Sequence, residues 1–317
     1  MTQTANQKTT KTGRRSGGRK ARQALRAAPL AFDRRPVRGG LSGGRFRPLD
    51  DAGIRRIYQA ALQLLEEIGL ADAPESGIKA MTAAGALLGD DGRLRFPPAL
   101  VEDMLVIAGR NFVLHGQSPD HDLHPGGTRV YYGTAGAAVH LVDLENREYR
   151  DSCLLDIHEA ARIVETLDHI HFFQRPMVAR DLESSLELDI NTVYAAMTGT
   201  SKHVGASFIS VENVTQVFDM LHIACGGEDA WRARPFVSNS NCFVLPPMKF
   251  ATEACEVMEA CIRGGMPVLL LSAGQAGATA PAAIAGTLTQ AVAECLAGVV
   301  YVNSVKPGHP AIFGTWP

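Results

Sequence analysis

The fold is decided by residues 267–316, which read PVLLLSAGQAGATAPAAIAGTLTQAVAECLAGVVYVNSVKPGHPAIFGTW. PVLLLSA (267–273) is a short apolar run, a long apolar helix at about 281–301 follows it, and AIFGTW (311–316) is a second apolar run. Neither run alternates between polar and apolar residues, as expected of parallel strands whose two faces are both covered. The segment therefore predicts a strand–helix–strand unit of a parallel sheet.

The same unit repeats upstream of this segment. Four further strands are predicted at 129–134, 169–174, 203–209 and 235–241, with helices between them at about 154–167, 183–198, 211–224 and 249–263. A doubly wound nucleotide-binding sheet should carry a phosphate loop, but the best candidate, GQAGATAP (274–281), lacks both GxGxxG and a Walker lysine. The predicted fold is therefore α/β: a (β/α)8 TIM-type barrel, incomplete, with about six of its eight strands.

Composition divides the chain into three regions. Residues 1–48 hold 13 Lys or Arg and one acid, Asp33, which predicts a disordered basic arm, or alternatively an arm that docks on a partner or an anion. Residues 49–126 predict a helical region that packs on the barrel, with helices at 50–68, 74–84 and 97–108. Residues 127–317 form the predicted partial barrel.

The same counts exclude several classes of protein. After residue 48 the chain holds 18 basic and 32 acidic residues, which argues against a nucleic-acid surface. The apolar stretch around Ala291–Val302 contains Glu294, so no membrane span is expected. The basic N-terminus has no apolar segment typical of a secretory signal, and the six cysteines include no CxxC pair. We therefore expect a cytoplasmic protein with reduced thiols.

Four segments of the chain carry specific motifs in a fixed order. They are GRRSGGRKARQALRAAP (13–29), LDDAGIRRIYQAALQLLEEIGL (49–70), YYGTAGAAVHLVDLENREYRDSCLLDIHEAARIVETLDHIHF (131–172) and the stretch from VLPPM at 244 to the end of the chain. The most specific feature is AGATAP (276–281), followed by the helix that contains AECLAG (293–298). Together these segments resemble the trimethylamine methyltransferase family, and the resemblance covers roughly residues 14–317.

The resemblance implies an activity and a partner. Members of this family transfer a methyl group from a methylated amine to the Co(I) corrinoid of a separate protein, so the implied partners are a cognate corrinoid protein and a small methylated amine. The corrinoid (cobalamin) belongs to the partner, and no cofactor is expected to bind this chain directly. A homo-oligomer is expected for the full-length protein.

Family members extend well beyond residue 317, so the resemblance also implies that this chain is an N-terminal fragment, inactive alone and poorly soluble because of open sheet edges. Archaeal members that act on trimethylamine carry a catalytic pyrrolysine, whose position lies beyond Pro317. Relatives without pyrrolysine include glycine betaine demethylases. Both the substrate and the catalytic residue therefore stay open.

Candidate substrate contacts lie at the carboxyl ends of the predicted strands, where barrel enzymes place their active sites. A methylated ammonium is a weakly hydrated cation that aromatic faces bind, each with about 0.5–2 kcal/mol. The predicted aromatic cage consists of Tyr132, Phe173, Phe208 and Trp316, with ordinary core packing as the alternative for each.

Four polar residues complete the predicted site. Asn239 and Asn241 alternate along one strand and could orient substrate or bind water. Arg175 could hold the carboxylate of a betaine, and an ion pair with a loop acid is the alternative. Gln275 could line the mouth of the barrel where the corrinoid arrives, although its loop could also be a simple tight turn.

Two other functions remain open. One is a degenerate relative that binds quaternary amines without catalysis. The other is a metal-dependent barrel hydrolase, suggested by the H-x-H spacing of His169 and His171. These two histidines lie at the start of their strand, away from the expected active face, and no histidine occurs between His222 and His309. No metal site is therefore predicted.

Overall fold

The protein is described by a computed structural model that covers residues 18–20, 23–24, 28, 40–44 and 46–315. The chain divides into two compact units, Met1–Arg38 and Gly39–Pro317, and the second is described below. Most of the predicted basic arm and Trp316 lie outside the described residues.

Nine α-helices lie among the described residues of the second unit. Helix α1 (Asp51–Glu67) begins where its sequence predicts, because the Asp50 side chain accepts a hydrogen bond from the Gly53 N–H at 2.6 Å. The remaining helices are α2 (Glu75–Ala83), α3 (Pro98–Ile107), α4 (Leu154–Glu165), α5 (Ser185–Gly199), α6 (Val211–Cys225), α7 (Glu228–Ala233), α8 (Thr252–Arg263) and α9 (Ile284–Val305). Helix α7 is not among the helices that the sequence predicts.

The central feature is a five-stranded parallel sheet whose spatial order follows the chain. Its strands are β7 (Phe172–Gln174), β8 (His203–Ala206), β9 (Val237–Asn239), β12 (Val268–Ser272) and β13 (Ala311–Thr315). Antiparallel pairs are formed by β1 (Leu41–Ser42) with β4 (Arg129–Val130), β2 (Leu87–Leu88) with β3 (Leu94–Arg95), β5 (His140–Val142) with β6 (Tyr149–Asp151), and β10 (Val244–Leu245) with β11 (Lys249–Phe250). The curled parallel sheet with its covering helices confirms an incomplete (β/α) barrel.

The first predicted strand, residues 129–134, is divided between two neighbours. Its start is β4, which pairs antiparallel with β1, whereas Gly133 forms a single parallel bridge with Phe172 of β7. A second parallel bridge joins Ala138 to Met177. A Cβ at Gly133 would lie 2.2 Å from the Phe172 ring, so this close approach needs glycine. The first predicted strand therefore joins the parallel sheet only through isolated bridges beside β7.

The register separates the two faces of the sheet. Val268 pairs with Asn239, and Leu270, two residues further along β12, lies against Gly298 of α9. Asn239 therefore belongs to the face that the helices cover, which we call the outer face. The opposite face, called the inner face, includes Phe172, Gln174, His203, Gly205, Ser238, Leu269, Leu271, Ile312 and Gly314.

Helix α9 joins the helical region to the sheet. It packs against α1, α2 and α3 on one side and against β12 and β13 on the other. Gly77 of α2 permits one of these contacts, since a Cβ there would lie 2.3 Å from the Tyr301 hydroxyl. Among the described helices α9 alone is long and apolar enough to cross a membrane, and 67% of its most apolar window is buried inside the protein.

Candidate active site

The carboxyl ends of the five parallel strands form one edge of the sheet, the edge at which barrel enzymes place their active sites. On the inner face, Gln174 at the end of β7 donates a hydrogen bond from Nε2 to Ser240 Oγ at 2.6 Å. The Gln174 amide lies over Gly205, because a Cβ there would come within 1.9 Å of Gln174 Oε1. Sequence analysis did not single out Gln174 or Ser240, since the apolar run around β7 does not show which residues face inward.

The predicted aromatic cage residues lie in different environments. Phe173 is fully buried on the outer face and belongs to the hydrophobic core. Phe208 is 3% exposed, whereas Tyr132 is 62% exposed. Among the described residues no ring contact joins these three side chains, and Trp316 lies outside the described part of the chain. The cage stays a prediction, and the burial of Phe173 favours the core-packing alternative for that residue.

Asn241 is engaged with the protein backbone. Its Oδ1 accepts from the Phe208 N–H at 3.0 Å and its Nδ2 donates to the Phe208 carbonyl at 2.7 Å. This amide therefore fixes the loop after β8 to the loop after β9. Asn239 differs: it is 2% exposed, and its buried Oδ1 has no hydrogen-bond partner among the described residues. Of these two asparagines, only Asn239 leaves its side-chain oxygen without a described hydrogen-bond partner.

Arg175 follows β7 and makes no side-chain hydrogen bond to any described residue. Its Nε is buried and unpartnered. Asp189 of α5 acts on it electrostatically without a direct ion pair, and burial lowers the pKa of Arg175 while Asp189 opposes this shift. Burial raises the pKa of Asp189, whose Oδ2 accepts from the Ile209 N–H and Asn213 Nδ2, both at 2.8 Å.

A buried carboxylate that sequence analysis did not identify supports the next strand end. Glu294 of α9 is fully buried. Its Oε1 accepts from the Met248 N–H at 2.8 Å and from Gln290 Nε2 at 3.1 Å, and its Oε2 accepts from Ser272 Oγ. One carboxylate thus joins β12, α9 and the turn between β10 and β11. Its position within the AECLAG segment was the signal available in the sequence.

Glu294 also reaches the AGATAP loop indirectly. Gln290 Nε2 donates to the Thr279 carbonyl at 3.0 Å, and the Thr279 hydroxyl accepts from the Gln275 N–H at 2.9 Å. The Gln275 side chain itself is exposed, and Gly277 takes a φ of +80°, which favours glycine. The loop is thus a hydrogen-bonded turn that Gln290 ties to Glu294, and the Gln275 side chain faces solvent.

The histidines of the predicted H-x-H pair do not lie at the strand ends. His171 Nδ1 accepts from the Tyr132 N–H at 2.8 Å, and burial lowers the pKa of this ring. Among the described residues, no group of three or more His, Cys, Asp and Glu side chains is arranged to hold a metal ion.

Comparisons with known proteins agree with the resemblance that the sequence motifs show. Residues 15–317 match the family described as trimethylamine methyltransferase (MTTB). Trimethylamine methyltransferase MttB of Desulfitobacterium hafniense is 30% identical over 282 residues, which cover 87% of this chain and 54% of that protein. MttB1 of Methanosarcina mazei is 27% identical over 267 residues, or 83% of this chain and 54% of that protein.

A third relative carries a different name. The glycine betaine methyltransferase of Desulfitobacterium hafniense is 25% identical over 273 residues, which cover 86% of this chain and 56% of that protein. The chain spans about half the length of the curated relatives it matches. Since the family match extends over almost the whole sequence, the chain belongs to the trimethylamine methyltransferase family.

Proposed function

We propose that this chain forms the amine-binding half of a methyltransferase that moves a methyl group from a methylated amine to the Co(I) corrinoid of a partner protein. The observation that carries the proposal is the family match over residues 15–317. The names of the relatives support trimethylamine or glycine betaine as the class of substrate.

The inner face of the sheet supports this proposal. Across the five parallel strands its only titratable side chain is His203 at the start of β8, and burial lowers the pKa of that ring to about 4, so it is neutral. The strand ends offer instead the Gln174 amide and the Ser240 hydroxyl. A weakly hydrated methylammonium is compatible with neutral polar groups, which do not need to exchange a proton with it.

The chemistry of the step also fits an uncharged inner face. The corrinoid Co(I) of the partner protein would supply the nucleophile, and the electron pair of the broken C–N bond would stay on nitrogen. A quaternary or protonated amine therefore leaves as a neutral amine without a general acid. The residues of this chain would bind and orient the ammonium and exclude water, with Gln174 and Ser240 as inner-face contacts.

Methyl transfer is measured with two proteins. One is the 317-residue chain, and the other is the longer protein encoded by the longest reading frame that contains it. Each protein is mixed with reduced corrinoid protein and with trimethylamine, dimethylamine, glycine betaine or choline. Loss of one methyl group, measured by mass spectrometry together with the change in corrinoid absorbance, is the expected result. Binding of an amine by the longer protein without transfer would favour the non-catalytic relative, and absence of both would refute the proposal.

A cytoplasmic location, a cognate corrinoid protein and a homo-oligomeric assembly belong to the same proposal. Size-exclusion chromatography with light scattering, on each protein alone and with the reduced corrinoid protein, tests the last two. The expected results are a homo-oligomer of the longer protein alone and a heavier complex when the corrinoid protein is added.

A further inference from the structure

A groove runs along the exposed side of α1, in the helical region of the second unit. Its volume is about 1020 Å³, and α1, the start of α3 and the first turns of α9 form its walls. The exposed residues that line it include the small or apolar Leu49, Ala52, Ala60 and Ala285. Grooves with exposed apolar walls are common contact sites for other proteins. The charges along α1 indicate which protein fits this one.

Two arginines and two glutamates lie along α1 in a regular arrangement. Arg55 and Arg56 belong to its second turn, and Glu66 and Glu67 end it. Each arginine precedes a glutamate by 11 residues, which is about three helical turns or about 16 Å, so both pairs keep to one side of the helix. Arg55, Arg56 and Glu66 make no ion pair or side-chain hydrogen bond with another described residue. Glu67 accepts only from Gln63 of its own helix, at 2.9 Å.

This order of charges does not stabilise α1 by itself. The C-terminal end of a helix carries a partial negative charge, which favours basic side chains there and disfavours acidic ones. The last turn of α1 has no basic residue and contains Glu66 and Glu67. A neighbouring helix of opposite direction and with the same sequence would offset both the charges and the dipole.

We infer that this groove binds a second copy of the chain, with the two α1 helices antiparallel around a two-fold axis near Ala60. In that arrangement Arg55 of each copy faces Glu66 of the other, and Arg56 faces Glu67, so a single patch is complementary to itself. A parallel arrangement would bring arginine against arginine and glutamate against glutamate. The small side chain of Ala60 lets the two helices approach closely at the axis.

The two kinds of side chain have different roles in this contact. Exposed ion pairs contribute little affinity, whereas their order fixes orientation and excludes wrong arrangements. Affinity would come from covering apolar groove residues such as Leu49 and Ala285. The inference deepens the homo-oligomeric part of the proposed function, and it rests on that proposal only for the expectation of an oligomer.

Sedimentation velocity of the 317-residue chain over a range of concentrations tests the inference. A dimer that forms as the concentration rises is expected, and added salt should weaken it because the charge pairs are exposed. Arg55→Glu combined with Arg56→Glu should raise the dimer dissociation constant at least about 10-fold, since acid then faces acid. Glu66→Arg combined with Glu67→Arg should have the same effect.

A mixture of the two double variants gives the sharpest result. One helix is then acidic and the other basic at all four positions, so an equimolar mixture should form a dimer that neither variant forms alone. The matched control is Arg162→Glu, an exposed arginine of α4 outside the groove, which should leave the dissociation constant unchanged. Circular dichroism melting checks that every variant is folded.

The same variants in the longer protein separate this contact from association through open sheet edges. There, Arg55→Glu with Arg56→Glu should lower the mass of the assembly measured by light scattering. A chain that stays monomeric, a dimer that the double variants do not weaken, or a mixture that stays monomeric would overturn the inference. Charge-dependent dimers without methyl transfer would support it while refuting the transferase, and methyl transfer by a monomeric longer protein would do the reverse.

Discussion

Asn241 and Phe208 are joined by two hydrogen bonds, in which the Asn241 amide accepts from the Phe208 N–H at 3.0 Å and donates to the Phe208 carbonyl at 2.7 Å. The pairing resembles one step of a β ladder, made by a side chain in place of a strand. It extends the contact between β8 and β9 beyond the point where their backbone pairing ends at Asn239. Both residues were predicted as substrate contacts, and the structure gives the amide of Asn241 a structural partner.

Replacing Asn241 with Ala should therefore destabilise the protein. Two backbone groups of Phe208 would lose their partners, and we expect the free energy of unfolding to fall by about 1–3 kcal/mol. Denaturant unfolding followed by circular dichroism measures this change. Cys242→Ala is the control, because the neighbouring thiol is exposed and forms no side-chain hydrogen bond to the described residues. Equal stability of the two variants would show that the Asn241 pairing contributes little.

Glu294→Gln should loosen the loop that contains AGATAP. Three donors converge on the two oxygens of this buried carboxylate, and an amide offers only one oxygen to accept them. At least one buried donor then faces an NH₂ group, which should cost about 1–3 kcal/mol of the free energy of unfolding. Hydrogen exchange should also become faster in residues 275–281, since Gln290 links Glu294 to Thr279.

The control for this change is Glu256→Gln, an exposed position on α8. We expect it to leave exchange in residues 275–281 as in the unaltered protein. If Glu294→Gln lowers stability while exchange in this loop stays the same, Glu294 supports the core without positioning the loop.

Gly205 and Gln174 should be energetically coupled. A Cβ at position 205 would come within 1.9 Å of Gln174 Oε1, so Gly205→Ala must displace the Gln174 amide from Ser240. The single changes Gly205→Ala and Gln174→Ala should each lower the free energy of unfolding by about 0.5–1.5 kcal/mol, the usual contribution of one hydrogen bond.

The double variant tests the coupling. Because both single changes break the same hydrogen bond, the double variant should cost less than their sum by at least about 0.5 kcal/mol. Urea unfolding of all four proteins measures the difference. Simple additivity would mean that the methyl group at position 205 is accommodated without moving Gln174.

The strand and helix order could be predicted because parallel strands covered on both faces are short and apolar, and the helices between them repeat at a similar spacing. The start of helix α1 could also be predicted, because Asp50 caps the helix by accepting a hydrogen bond from the Gly53 N–H. The first strand was predicted as continuous, and it is divided because Gly133 meets the Phe172 ring while β4 pairs with β1. That division depends on residues distant in the sequence, which local patterns do not encode.

The site was less predictable than the fold. An apolar run such as HIHFFQ does not alternate, so the sequence could not show that Gln174 faces inward and Phe173 outward. Asp189 and Glu294 reach the strand ends from the covering helices. Their hydrogen bonds join segments far apart in the chain, and no spacing rule connects those segments. Arg175 was recognised as the charged residue at a strand end, and its lack of a partner became visible only in the structure.

The last prediction concerns pH and two buried histidines. His203 donates from Nδ1 to the His115 carbonyl at 2.8 Å and receives the Ser238 hydroxyl at Nε2, and His309 donates from Nε2 to the Met266 carbonyl at 2.9 Å. Burial lowers the pKa of each ring from 6.5 to about 4. The Nδ1 of His309 has no hydrogen-bond partner among the described residues, so a second proton there would have no acceptor. A second proton on His203 would require the Ser238 hydroxyl to turn from donor to acceptor.

Between pH 6.5 and 4 the unfolded chain therefore binds more protons than the folded protein, so the free energy of unfolding falls as the pH is lowered. The expected slope is up to about 1.4 kcal/mol per pH unit for each histidine, with stability retained above pH 6.5. Urea unfolding at pH 7.0, 6.0, 5.0 and 4.5 measures it, and His309→Gln, which keeps a donor for the Met266 carbonyl, should reduce the slope by about half. A free energy of unfolding that stays constant over this range would mean that both rings accept protons in the folded protein as easily as in the unfolded chain.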